Sequence, residues 1–175
     1  MEILVFDTGP LSHFARQNWL GVLKAVVGHR RALIPDVVVA ELVVGAKVDR
    51  RLLDVLDADW IEHRPLVSDE EIAAFAKFAA LLVKGTRNRG EAGVLALASV
   101  VNGVAVVDDG AGRRAADHYG VAKRPTLALL CEAIQSGLLT VQLVSALADD
   151  LLATDYRLPF GAGGFEAWAK DQGQL

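Results

Sequence analysis

Two four-residue runs, Ile3-Leu4-Val5-Phe6 and Val104-Ala105-Val106-Val107, constrain this chain more than any other feature. Neither carries a polar residue in alternation, so neither can lie with one face in water. Each reads as a strand covered on both faces, the pattern of a parallel sheet sandwiched by helices. Both runs stop at acidic turns, Asp7-Thr8-Gly9-Pro10 and Asp108-Asp109-Gly110.

Further short strands are expected at Ala32–Ile34 and Trp60–His63, with helical patterns between them. Leu11, Phe14 and Ala15 share one face, and a second pattern runs from Trp19 to Val27 and closes at Gly28. Asp36 is expected to cap a helix reaching about Gly45, and residues 50–59 form another short one. Ser68 and Glu71 make a capping box, and Ile72, Phe75, Ala76, Ala79, Leu82 and Val83 are expected on its buried face. A basic loop, residues 84–90, precedes a helix from Glu91 to Val101 that is apolar on nearly all sides and so reads as buried. Helices at 112–118, 126–136 and 140–152 follow, with a last one at 165–170. Strands alternating with helices give an α/β fold, a three-layer α/β/α sandwich with a mostly parallel central sheet. Residues 1–150 read as its body and 151–175 as an appendage rather than a separate domain.

Composition narrows the class. With 53% hydrophobic residues among 175 and a net charge of −4, the chain is far from the disordered regime. A single cysteine, Cys131, excludes a disulfide framework and a Cys-rich zinc site. The longest uncharged stretch, Ala92 to Val107, is broken by Asn102-Gly103 and falls short of the roughly 20 residues of a membrane span. Glu2 stands where a secretory signal carries positive charge, so the chain reads as cytoplasmic, with no membrane partner.

In a parallel α/β sheet, ligands bind beyond the carboxyl ends of the strands. Asp7 and the Asp108-Asp109 pair follow buried strands and belong on that edge. Glu91 opens a helix that runs antiparallel to the strands, so it starts on the same edge. Glu41, in the apolar run Val37 to Val44, lies about 7.5 Å along its helix from Asp36, at 1.5 Å per residue. Carboxylates in apolar surroundings need hydrogen bonds, a cation or a metal, and those runs hold no matching Lys or Arg. Oxygen-only donors suit Mg²⁺ or Mn²⁺ rather than zinc. Such a cluster serves phosphoryl chemistry, and Arg87, Arg89, Arg113 and Arg114 would flank it as contacts to backbone phosphates. Four site carboxylates would account for the whole acidic excess.

The motifs Val5-Phe6-Asp7-Thr8-Gly9-Pro10-Leu11, Val39-Ala40-Glu41-Leu42, Arg89-Gly90-Glu91-Ala92 and Val106-Val107-Asp108-Asp109 resemble the four acidic motifs of PIN domains. The likeness covers about residues 1–145 and is nearest to prokaryotic nucleic-acid-binding PIN proteins related to VapC-type toxins. It implies a Mg²⁺- or Mn²⁺-dependent ribonuclease, often a homodimer and often neutralised by a small antitoxin protein. It implies Asp7, Glu41 and Glu91 as metal-site acids, with Asp108 or Asp109 as the fourth. It also implies Thr8 as the small hydroxyl residue beside the first acid, a contact to substrate. The doubled aspartate departs from the family pattern; Asp109 is favoured as ligand, with Asp108 capping the following helix.

Other readings stay open. A nucleic-acid- or antitoxin-binding module with an inactive site would keep the same fold. An aspartate-nucleophile phosphatase would need a second aspartate two residues after Asp7, which is absent, and a phosphorylated-aspartate receiver domain fits less well still. His13, His29, His63 and His118 share no metal spacing and read as surface or boundary residues. Cys131 reads as a small core residue. Trp19, Trp60 and Trp168 read as core or interface anchors rather than base-stacking platforms.

Overall fold

The computed structural model describes all 175 residues. β1 (Ile3–Phe6) passes through Asp7 alone into α1 (Thr8–Arg16), and α2 (Leu20–Val27) leads to β2 (Arg31–Ile34). α3 (Asp36–Ala46), a 3₁₀ turn (Arg50–Leu52) and α4 (Leu53–Leu56) precede β3 (Ile61–His63). α5 (Asp69–Leu82) and α6 (Arg89–Val101) then carry the chain to β4 (Val104–Val106). α7 (Gly110–Tyr119), α8 (Thr126–Gln135), α9 (Val141–Leu152) and α10 (Phe165–Asp171) complete it.

The four strands are parallel in the order β3-β2-β1-β4. From β1 the chain steps outward to β2 and β3, then returns by α5 and α6 to place β4 on the other side of β1. With right-handed crossovers, that reversal sends the two sets of helices to opposite faces of the sheet. The result is the expected α/β/α sandwich, with the switch in direction between β1 and β4. Leu4, Val5, Phe6, Ala105 and Val106 are all fully buried, as unbroken apolar strands require. Beyond β4, the Ala105 N–H donates to Ala122 O at 2.8 Å and the Arg124 N–H to Ala105 O at 2.9 Å, which leads the chain back to the same edge. No helix is long and apolar enough to cross a membrane.

Three local expectations shift. Pro35, in extended conformation, occupies the cap position of α3, so Asp36 is already helical and its carboxylate instead accepts from the Leu66 N–H at 3.3 Å. The Ser68–Glu71 capping box of α5 forms as expected. The buried face of that helix, however, turns toward Phe78 and Leu82 and leaves Ile72 53% exposed. Glu71 is drawn inward, where its carboxylate accepts from Arg64, Val67 and Ser68, and that rotates the helix. α3 is not enclosed despite its composition, since Val43 and Val44 are exposed. α6 is the buried helix, with Ala92 and every residue from Val94 to Ala98 fully covered.

Residues after α9 fold back on the body. Tyr156, Phe165 and Ala169 belong to the same continuous core as the strands, and the Gln135 side chain donates to Gln174 O at 2.7 Å.

Candidate functional site

The carboxyl ends of β1 and β4 diverge at the switch point, the crevice where open α/β sheets take ligands. There the Asp7 N–H still donates to Val106 O at 3.2 Å, so the two acidic turns lie side by side. A cavity of about 660 Å³ opens over them, lined by Asp7, Glu91, Asp108 and Asp109.

Asp7 sits at the head of α1, yet its carboxylate makes no capping hydrogen bond. It is 9% exposed. Burial, the charge of Glu91 and then those of Glu41 and Asp108 push its pKa up to about 8, against the pull of the Thr8 amide. Burial, Asp109 and Glu41 likewise raise Glu91 to about 7. Glu91 Oε2 is buried with no hydrogen-bond partner. Glu91 Oε2 thus lacks any partner, and the single Thr8 amide does not offset the burial of Asp7, so neither carboxylate has the full compensation that buried charge requires.

Glu41 is held from two sides. The Thr8 hydroxyl donates to Oε2, and the Gly90 N–H donates to Oε1 at 3.0 Å. Thr8 therefore positions an acid. Gly90 is glycine for want of space: a Cβ there would stand 2.6 Å from Glu41 Oε2 and 3.0 Å from Asp7 Oδ1. The first turn of α6 thereby brings the second and third acidic motifs against the first.

Asp109, not Asp108, caps the helix that follows. Asp109 is the N-cap of α7, its Oδ1 accepting from Ala111 N–H at 2.7 Å and Gly112 N–H at 3.4 Å. Asp108 faces the other way and accepts from Thr126 N–H at 2.8 Å, Thr126 Oγ1 at 2.6 Å and the Tyr156 hydroxyl. The reason is local: Asp109 precedes Gly110, the first helical residue, so only its side chain reaches the free amides. Tyr156 is braced in turn by His13, whose ring meets it edge-on at 4.8 Å between centroids.

Of the four expected arginines, Arg113 lines the carboxylate cavity. Arg114 lies in a neighbouring groove with Lys84. Arg87, on the loop before α6, and Arg89, its first residue, are exposed and line neither. None of the four is tied to a carboxylate, whereas Arg30, Arg31, Arg51, Arg64 and Arg124 all are. Thr126, Tyr156 and Arg157, which no sequence motif singles out, reach the site from 18 or more residues beyond Asp108. No periodicity marks them: the return of the chain along β4 brings in Thr126, and the segment after α9 brings in Tyr156 and Arg157.

The donor set is all oxygen, with two uncompensated carboxylates and an orphaned buried Glu91 oxygen, which fits a hard cation. No group of three or more His, Cys, Asp or Glu side chains is placed to hold a metal ion by itself. Mg²⁺ does not ask for one, since it is held through one or two carboxylates and keeps several waters.

A family model described as PIN domain matches residues 3–161. Among curated proteins, none matches the chain in sequence. Among solved structures, a chain of VapBC2 from Rickettsia felis, crystallised bound to a DNA fragment from the promoter, is similar with a TM-score of 0.52 and 13% identity. The match covers 70% of this chain and 98% of that one; at such identity it speaks for the fold.

Proposed function

The chain belongs to the PIN-domain family, and on that premise we propose that it is a metal-dependent endoribonuclease, acting as the toxin of a toxin–antitoxin pair. The observation that carries the reading is the pair of uncompensated carboxylates, Asp7 and Glu91, on the floor of an open cavity. They would hold Mg²⁺ or Mn²⁺, with the free Oδ2 of Asp109 beside Glu91. When bound, such a cation neutralises phosphate charge and supplies an activated water. Glu41, locked by Thr8 and Gly90, adds negative potential at the cation position. Asp108, anchored by Thr126 and Tyr156, fixes the β4 edge of the site. Arg113 and Arg157, exposed and without carboxylate partners, line the cavity where the phosphates flanking the scissile bond would lie.

The antitoxin and homodimer belong to the same reading and rest on the likeness to a VapBC2 chain and on the acidic motifs. The absence of such a three-ligand group favours one rival, a binding module without catalysis. A 5′-labelled single-stranded RNA incubated with Mg²⁺ or Mn²⁺ separates them. We expect internal cleavage that Asp7→Asn, Glu91→Gln or excess EDTA abolishes. Cleavage surviving any of these overturns the mechanism, and RNA binding without product establishes the rival.

A further inference from the structure

Part of the wall of the carboxylate cavity is built by the C-terminal segment, from Trp168, Gln172 and Gln174, residues that lie beyond the 3–161 span of the family match. The wall is neutral where the floor is acidic. Trp168 is half-buried, set at 5.4 Å from the Phe160 ring and backed by the fully buried Phe165. Its position is therefore fixed by packing, and the half-buried indole still lines the cavity. The main chains of Gln172 and Gln174 are engaged, donating to Trp168 O at 3.0 Å and Ala169 O at 2.8 Å. Their side-chain amides make no hydrogen bond within the chain, so both donors and acceptors are free.

A rigid indole face beside two free carboxamides is the chemistry that takes a nucleobase: the ring stacks on the aromatic and its edge pairs with the amides. The acidic floor repels phosphate that is not accompanied by a cation, so the base is the part of a nucleotide this wall accepts. Arg157, which also lines the cavity, has no carboxylate partner and would meet the adjoining phosphate. The cavity, about 660 Å³, has room for a nucleotide. We propose that Trp168, Gln172 and Gln174 form a nucleobase subsite next to the carboxylates, which selects the base flanking the cleaved bond. The assignment rests on the ribonuclease reading for its role in cleavage, but binding of a base does not.

Two measurements keep these apart. Saturation-transfer NMR with the four uncharged ribonucleosides, in EDTA, reads the subsite without metal or phosphate. We expect base protons to be saturated more than ribose protons, one nucleoside to bind best, and Trp168→Ala to weaken it by about 5- to 150-fold, the range a stacked base contributes. Trp168→Phe, which keeps an aromatic face, should retain most of the binding. Sequencing the products from a randomised RNA should show the base preference flattened in Trp168→Ala and Gln172→Ala. Circular dichroism and melting confirm that each variant is folded. Nucleoside binding and product sequences unchanged in folded Trp168→Ala overturn the subsite and leave the nuclease reading intact. Trp168-dependent nucleoside binding in a wild-type chain that cuts no RNA upholds the subsite and overturns the nuclease.

Discussion

Replacing Asp7 by asparagine should stabilise the metal-free protein, and only at high pH. The buried carboxyl titrates near 8 in the folded chain against an ordinary 3.8. A raised folded pKa means that the folded state holds its proton more tightly than the unfolded one. Its stability is therefore fully present below about pH 4 and is lost as pH rises through 8. At about 1.4 kcal/mol per pH unit, the ionised carboxylate costs the fold up to about 5 kcal/mol by pH 8. Glu91, also raised, acts in the same direction. An asparagine side chain cannot ionise, so the variant should gain most of this at pH 8 and almost nothing at pH 4. For a chain of this length the gain corresponds to at most about 10–20 °C in Tm. The assay is thermal and urea unfolding in EDTA across pH 4 to 8. Mn²⁺ at a hundredfold its Kd should raise wild-type stability at pH 8 by about 2.7 kcal/mol and raise the variant's far less. If Asp7→Asn loses stability equally at both pH values, Asp7 is a helix-end structural group, and the reasoning about an uncompensated site fails.

Other outcomes follow from the same geometry. Gly90→Ala puts a Cβ 2.6 Å from Glu41 Oε2; it should destabilise by about 1–3 kcal/mol and remove RNA cleavage, as seen by denaturant melts and gel assay. Tyr156→Phe deletes the hydroxyl that donates to Asp108 and should cost about 1.5–3 kcal/mol, the worth of a hydrogen bond to a charged group, readable in urea midpoints. Ser68→Ala breaks the α5 capping box at a cost of about 1 kcal/mol. Glu71 is held below its ordinary 4.5, chiefly by the Ser68 and Val67 amides. Its contribution is present above that value and should vanish as pH falls through the folded pKa, steepening acid unfolding of the wild type relative to Glu71→Gln.

The acidic floor of the site was legible in the sequence because its parts are local. A carboxylate directly after an unbroken apolar strand must lie at the sheet edge, which fixes Asp7 and Asp108-Asp109, and Glu91 follows from helix direction. The duties of the two neighbouring aspartates were not legible. One residue of difference in where α7 begins decides that Asp109 caps it, and Asp108 turns to Thr126 and Tyr156. Nor was the exposure of α3 readable, since the apolar residues around Glu41 say nothing of which neighbours arrive to cover them.

What the sequence determined by itself is the sandwich and the edge on which chemistry collects, because strand burial and helix polarity are set within a few residues. What only the tertiary structure decided is the rest of the cavity. The placement of β4 beside β1 creates the switch point, and the packing of Phe160 and Phe165 carries Trp168, Gln172 and Gln174 over it. That packing brings the two ends of the chain to one cavity, which Asp7 and Trp168 both line. No local pattern encodes them, since their stabilisation comes from burying apolar surface that exists only once the sheet has formed.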